Sequence, residues 1–256
     1  MNMTISFETK VWEKDWELIL KTSRLKDLIN ACNYEFDKKI VLINNVNDPS
    51  KVLKAADNLV KKGVITEYIN VEEHAKKALE HFELSKESLT SGYYYSIAEL
   101  VSLYLSKTKF LLHFSGDTLI DKSTSKNWLE IGIRALEKNP QIKVVNLGWD
   151  KKGIKMREEM VEETPEYWNS IGFSDQMYLV RTEDFRGKIY NHHHPYSDRY
   201  PKYGGELFEK RVDSWLRVNN FYRATLKDGL YLHRNFTNKS WKKKLSILMN
   251  RSDLFS

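Results

Sequence analysis

The 256-residue sequence is short of several residue types, and each shortage removes a class of protein. It has one cysteine, Cys32. A single thiol forms no internal disulfide framework and no Cys-x-x-Cys zinc or redox site, and it suits a reducing compartment. The 11 glycines and 5 prolines show no repeat, which excludes a fibrous chain. Apolar runs are brief: none approaches the roughly 18 residues needed to span a bilayer. The opening, MNMTISFETKVW, has no apolar signal-peptide core, so the expected location is the cytoplasm. Neither G-x-G-x-x-G nor G-x-x-x-x-G-K-[ST] occurs, which sets aside nicotinamide-type oxidoreductases and P-loop NTPases.

What is present describes a folded chain. A hydrophobic content of 41% with 12% aromatics is too apolar for disorder, and the length suits one large domain or two small ones. The net charge of +6 invites a nucleic-acid reading, but its distribution argues otherwise. From Arg234 to Ser256 there are six basic residues and one acid, so five of the six net charges belong to the last segment. The body is nearly neutral, and no nucleic-acid partner is expected.

The hydrophobic pattern alternates between strand and helix. A short strand at Thr4–Phe7 precedes a helical pattern from Trp16 to Ile29. The apolar run Ile40-Val41-Leu42-Ile43, bounded by Lys38-Lys39 and by Asn44-Asn45-Val46-Asn47-Asp48-Pro49, reads as a strand buried on both faces and closed by a turn. A helix at Val52–Val60 stops at Gly63, a natural residue just past a helix end. Then come a strand at Ile65–Ile69, helices at Ala75–Phe82 and Ile97–Leu105, and a buried strand at Phe110–Phe114. A helix around Trp128–Leu136 and a strand at Lys143–Leu147 follow. An irregular stretch from Trp149 to Trp168, a strand at Met177–Val180, a helix from about Glu206 to Phe221 and a last strand at Leu230–His233 complete the series. The order predicts an α/β fold.

In such sheets ligands bind where strands end. The polar ends are Glu8-Thr9-Lys10 after the first strand, Asn44-Asn45 with Asn47-Asp48 after the second, and Ser115-Gly116-Asp117-Thr118 after the strand at Phe110. An apolar strand delivering Asp117 into a small-residue turn suits a divalent cation held against a diphosphate, because Mg²⁺ and Mn²⁺ take oxygen ligands and phosphates supply most of them. An ordinary turn capped by Asp117 fits the same residues.

These segments resemble the nucleotide-binding half of GT-A glycosyltransferases, the family 2-like enzymes above all. The resemblance rests on the first strand, the strand ending in Asn44-Asn45, the tyrosine-rich helix and Leu111-Leu112-His113-Phe114-Ser115-Gly116-Asp117, and it extends over roughly Thr4 to Asn235. It implies a Rossmann-like three-layer sandwich with a mixed, mostly parallel central sheet. A nucleotide-binding half would occupy about 1–118 of a domain at 1–235, an acceptor half 119–235, and a basic helical tail 236–256. The chain departs from the family at two motifs. Asn44 and Asn45 stand where an Asp pair contacts the nucleotide, and Ser115-Gly116-Asp117 keeps only the last acid of a DxD motif. The amides still offer donors and acceptors to a base or ribose.

The resemblance implies a metal-dependent, inverting transfer from a nucleoside-diphosphate sugar, UDP-sugar favoured, to a glycan, glycolipid or glycoprotein hydroxyl. Glu8, Thr9, Asn44, Asn45, Ser115, Gly116 and Asp117 would hold the donor, and Asp117 with His233 would hold Mn²⁺ or Mg²⁺. Tyr203-Gly204-Gly205-Glu206 resembles the Gly-Gly-Glu turn opening a helix at the acceptor site, with Tyr203, Gly204 and Gly205 against the acceptor. Glu206 is the first candidate base, and Asp175 and Glu209 are its competitors. A sugar-nucleotide pyrophosphorylase would need a glycine-rich phosphate loop after the first strand, and Glu8 to Trp12 contains no glycine.

Three further features are open to two readings. His192-His193-His194 cannot easily share one ion, because neighbouring side chains in an extended segment alternate. With Tyr190, Tyr196, Tyr200 and Tyr203 they form either an acceptor loop or a solvated one. Tyr93-Tyr94-Tyr95 has the same ambiguity, with core packing favoured. In the tail, Trp241, Leu245, Leu248 and Met249 share a helical face while Lys243, Lys244 and Arg251 point elsewhere, which suits either an anionic membrane surface or docking on the chain's own domain. The alternative to an enzyme is a basic membrane or nucleic-acid binding module, whose binding would depend on the tail and not on Asp117.

Overall fold

The computed structural model describes residues 3–255, with the side chain of Tyr203 also outside the description. The strands are β1 (Ile5–Val11), β2 (Lys38–Ile43), β3 (Glu67–Asn70), β4 (Phe110–Phe114), β5 (Thr118–Ile120), β6 (Ile142–Gly148), β7 (Met160–Glu163), β8 (Tyr167–Ser170), β9 (Met177–Arg181) and β10 (Tyr222–His233). The α-helices are α1 (Trp16–Leu20), α2 (Arg24–Ala31), α3 (Pro49–Lys61), α4 (Val71–His81), α5 (Lys86–Leu89), α6 (Tyr93–Leu105), α7 (Trp128–Lys138), α8 (Ile154–Arg157), α9 (Thr182–Phe185), α10 (Phe208–Val218) and α11 (Ser240–Leu248).

The sheet runs β3-β2-β1-β4-β9-β6-β10-β8-β7, with β5 added to the end of β10. β1 is parallel to β2 and β4, β2 to β3, and β6 to β10. β9 is antiparallel to both β4 and β6, so the strands on its two sides run the same way. The C-terminal ends of β1, β2, β4, β6 and β10 therefore share one edge of the sheet, together with the start of β9.

Helices cover both faces. One core packs α1, α2, α3 and α7 against Ile5, Phe7, Val41, Ile43, Leu112 and Phe114. On the opposite face two clusters join α4, α6 and α10 to Ile40, Leu42, Leu111 and Val180. This is the three-layer arrangement expected of strands buried on both sides. Local signals agree with it. In α3 the Asp48 carboxylate caps the Lys51 N–H, Pro49 opens the helix, Val52, Ala55, Ala56 and Leu59 face inward, and Gly63 follows the end at φ +68°.

Three of the differences from expectation have a clear physical cause. β1 runs on to Val11, because its polar residues have internal partners: Ser102 donates to Glu8, and Lys10 pairs with Glu99. β10 is twelve residues long, since the Lys227-Asp228-Gly229 interruption falls at an irregularity between Leu226 and Leu230 that the strand passes through. The stretch from Trp149 to Trp168 contains α8 and leads into a β7–β8 hairpin. β7 is exposed along its whole length and so carries no alternating pattern to read.

Candidate active site

The shared edge opens into a cleft of about 430 Å³. Lys10, Val11 and Trp12 leave β1 there, Asn44 and Asn45 leave β2, and Ser115, Gly116 and Asp117 leave β4. Asp175 and Gln176 precede β9, His233 ends β10, and Tyr94 and Tyr95 reach in from α6. Six segments distant in sequence thus contribute to one depression. A roomier groove of about 540 Å³ between α2 and α3 is lined by lysines and lacks this convergence of acids, imidazole and aromatic rings.

The turn after β4 is held from three directions. Ser115 N–H donates to the Gln176 carbonyl at 2.8 Å, and Thr118 Oγ1 donates to Gln176 Oε1 at 3.2 Å. From below, the buried Arg24 guanidinium donates to the Gly116 and Thr118 carbonyls. Burial lowers the Arg24 pKa to about 10, opposed by the Asp117 charge, and leaves the group cationic. Gly116 has no room for a side chain: a Cβ would lie 2.4 Å from Ile19 Cδ1 and 3.2 Å from Asp15 Oδ2. The turn thus packs directly on α1, which aims Asp117 outward.

β5 begins immediately after Asp117 and pairs antiparallel with the end of β10, placing Thr118 opposite His233. The Arg234 N–H then donates to the Asp117 carbonyl. This ladder brings His233 Nε2 to 2.7 Å from Asp117 Oδ2. The hydrogen bond to Asp117, opposed by partial burial, raises the His233 pKa. A carboxylate oxygen and an imidazole nitrogen, adjacent and facing an open cleft, form a donor pair that suits Mn²⁺ better than Mg²⁺. Among the described residues no group of three or more His, Cys, Asp or Glu is arranged for a metal. The remaining coordination positions would therefore fall to a diphosphate and water, and the pair fits such an ion on those terms.

On the facing wall the Lys10 ammonium contacts Glu99 and lies 3.7 Å from Asp175. Burial disfavours its charge, but the two carboxylates prevail and raise its pKa. The Asp175 N–H donates to Glu209 Oε1 at 3.3 Å. Burial, reinforced by Asp175, pushes the Glu209 carboxyl well above the usual carboxylate range, and Glu209 supports the Asp175 backbone without lining the cleft. Asp15, at the start of α1, is raised to about 7 by burial, although it accepts the Trp12 N–H.

The aromatic side is formed by Trp12, Tyr94 and Tyr95, whose rings meet edge to face. The Asn45 amide donates to the Tyr94 carbonyl at 2.8 Å and that of Asn44 at 3.5 Å. Asn45 adopts φ +51°, a left-handed conformation that Asn tolerates well.

The sequence expectations distribute unevenly over this geometry. Asn44, Asn45, Ser115, Gly116, Asp117, Asp175 and His233 are brought together. Glu8 and Thr9 are not: both are buried within β1 rather than beyond its end. Glu206 precedes α10 instead of opening it, pairs with Lys210 at 2.7 Å and does not line the cleft. The glycines before it pack against protein. A Cβ on Gly205, at φ +60°, would lie 2.3 Å from Thr90 Oγ1 and 2.8 Å from the Gly92 nitrogen, and one on Gly204 would meet Leu207. The Tyr203 side chain lies outside the described residues. Tyr190 is wholly buried, its hydroxyl donating to the Phe185 carbonyl, so it belongs to the core and not to an acceptor loop. His193 lies 3.5 Å from Asp198 in that loop, and its neighbour Ser197 donates to Asp213.

Sequence reasoning missed Trp12, Asp15, Gln176 and Asn235, and it left Tyr94 and Tyr95 open between a loop role and packing, with packing favoured. The true end of β1 would have identified Trp12 and Asp15. No periodic signal separates Tyr94 and Tyr95 from Tyr93.

Neither a protein-family model nor a curated protein matches the chain. Solved structures do. One is glucosyl-3-phosphoglycerate synthase from Mycobacterium tuberculosis with Mn²⁺, UDP and glucosyl-3-phosphoglycerate, at TM-score 0.51 and 15% identity over 100% of this chain and 82% of that one. The same enzyme with phosphoglyceric acid gives TM-score 0.50 and 14% identity over the same shares. TarS 1-349 from S. aureus is similar at TM-score 0.49 and 13% identity, over 96% of this chain and 63% of that one. Strand order, layers and the two likenesses to the M. tuberculosis enzyme agree: the chain has the GT-A fold.

Proposed function

We propose that the chain is a glycosyltransferase that moves a sugar from a nucleoside-diphosphate sugar, UDP-sugar favoured, to a hydroxyl of a glycan, glycolipid or glycoprotein. The observation that carries this reading is the meeting of Asp117, His233 and Asp175 in one cleft beside the Trp12, Tyr94 and Tyr95 wall. The M. tuberculosis structure with the same fold holds Mn²⁺ and UDP, which supports it.

In this reading the aromatic wall and the Asn44 and Asn45 amides receive the base and ribose, since ring faces stack on a base and amides pair with its polar edge. A divalent ion held by Asp117 and His233 with diphosphate oxygens would supply the positive charge that the departing nucleoside diphosphate requires. Asp175 is the base in preference to Glu206, because it lines the cleft while Glu206 is held by Lys210 outside it. Asp175 takes the acceptor proton as the acceptor oxygen bonds to the anomeric carbon, and the bond from that carbon to the diphosphate oxygen breaks with its electron pair. The anomeric centre inverts in this single displacement.

The test combines thermal shift with product assays. Wild-type protein is expected to gain stability with UDP or a UDP-sugar only in the presence of Mn²⁺, by about 3 kcal/mol at a hundred times the dissociation constant. Asp117→Ala should abolish that gain. Asp175→Asn should keep it while lowering transfer or donor hydrolysis by about 10²-fold or more, and Glu206→Gln should leave both largely unchanged. The reading fails if no UDP-, GDP- or dTDP-sugar stabilises the protein with Mn²⁺, or if Asp117→Ala responds like wild type.

A further inference from the structure

The tail forms α11, and the way it docks leaves its apolar side outward. Ser246 is buried, α11 packs on α1, Lys243 Nζ donates to the Lys14 carbonyl, and Ser23 Oγ donates to the Asn250 carbonyl. At about 100° per residue these positions define the inner face. The opposite arc carries Trp241, Leu245, Leu248 and Met249, with Trp241 60%, Leu248 80% and Met249 56% exposed. Lys242 and Lys244 flank that arc on either side. The helix thus docks on its own domain by one side and keeps an exposed apolar face on another.

The neighbouring surface is rich in lysine, although Lys21 and Lys51 are paired with Glu17 and Asp48. Two grooves that border Asn250 are lined by six lysines, Lys21, Lys26, Lys39, Lys51, Lys54 and Lys62, against one acid, Asp27. Lys239 and Lys244 add two exposed cations at the helix, while Arg251 is paired with Asp253.

We propose that α11 and this lysine surface form a docking face for an anionic lipid bilayer. Trp241, Leu245, Leu248 and Met249 enter the boundary between headgroups and acyl chains, and the lysines lie over the headgroup phosphates. The chemistry selects this occupant. An exposed tryptophan and aliphatic residues ringed by lysine combine apolar burial with attraction to negative charge. A second copy docked through the same patch would set basic rim against basic rim, because a two-fold interface is self-complementary. A nucleic acid would use the lysines and leave the apolar arc in water. The inference rests on the tail and not on the sugar-transfer reading, and its test needs no nucleotide.

The experiment is co-sedimentation of the full chain with phosphatidylcholine vesicles, plain or containing about 30% phosphatidylglycerol. Wild type is expected to bind the anionic vesicles, more weakly as salt rises, and not the plain ones. Trp241→Ala with Leu248→Ala, and separately Lys242→Glu with Lys244→Glu, should each reduce binding by about tenfold or more. Leu248 and Lys244 are exposed, and Trp241 and Lys242 pack on Phe255 near the end of the chain, so an unfolding temperature close to that of wild type should accompany the loss. Three results would overturn the proposal: no binding of wild type to anionic vesicles, binding that survives both double variants, or a face used elsewhere. The last would appear as a dimer in sedimentation that Trp241→Ala with Leu248→Ala dissolves, or as duplex DNA binding without vesicle binding.

Discussion

Asn45 shows what an amide contributes at the end of β2, where the pattern that the sequence resembles has an acid. Its Nδ2 donates to the Tyr94 carbonyl from a left-handed backbone. A carboxylate there has no proton to give and would set its charge against the carbonyl oxygen. The amide thus fixes the first turn of α6 and with it the aromatic wall. Asn45→Asp is expected to cost about 1–2 kcal/mol of local order, read as roughly tenfold weaker binding of UDP by calorimetry with little change in overall unfolding temperature. Unchanged affinity would show that the wall does not depend on this bond. This substitution was legible in the sequence as a departure, but its cause was not, because Tyr94 is remote in sequence and meets Asn45 only through the packing of α6 beside β2.

At the scale of elements, legibility followed hydrophobic contrast. β2 and β4 are apolar runs bounded by polar residues, and both ends of each were readable. β1 was misread because Glu8, Thr9 and Lys10 look like the surface, whereas Ser102 and Glu99 of α6 supply Glu8 and Lys10 with partners in the interior. The turn at 204–206 was misread for the opposite reason. Two glycines suggested room for a ligand, yet they allow close contact with the segment at 90–92. Gly205→Ala would combine a left-handed backbone with a Cβ against Thr90 and Gly92. A loss of about 1–3 kcal/mol in denaturant unfolding is expected, with transfer activity affected only as far as the fold is. A neutral result would show that the 90–92 segment yields without cost.

For the whole molecule, strand direction decides the site. Once β9 reverses between two parallel blocks, residues near 10, 44, 117, 175 and 233 must meet, which no local pattern reveals. The same packing buries Glu8 at the centre of the sheet and raises its carboxyl from 4.5 to about 7 by desolvation, opposed by hydrogen bonds from Ser102 and Ser6. Below about pH 4.5 the group is protonated in folded and unfolded chains alike. Between that value and 7 the unfolded chain releases the proton while the folded chain keeps it, so the stability contributed by protonated Glu8 is lost as pH rises through 7. Glu8→Gln removes this dependence. Relative to wild type its unfolding temperature should rise by a few degrees between about pH 5 and pH 8, equivalent to about 1–2 kcal/mol. A parallel offset at both pH values would exclude Glu8 as the titrating group.

The pairing of β5 with the end of β10 separates the two walls of the cleft. The spacing of Asp117 and His233 is set by main-chain hydrogen bonds and the Arg24 clamp, whereas the opposite wall is set by side chains of α6 and the loop after β1. The aromatic rings and amides are thus free to be exchanged for others without moving the acid and the imidazole. On the sugar-transfer reading, a scaffold divided in this way is a ready starting point for engineered changes of nucleotide preference, since the aromatic wall would be redrawn while Asp117 and His233 stay in place.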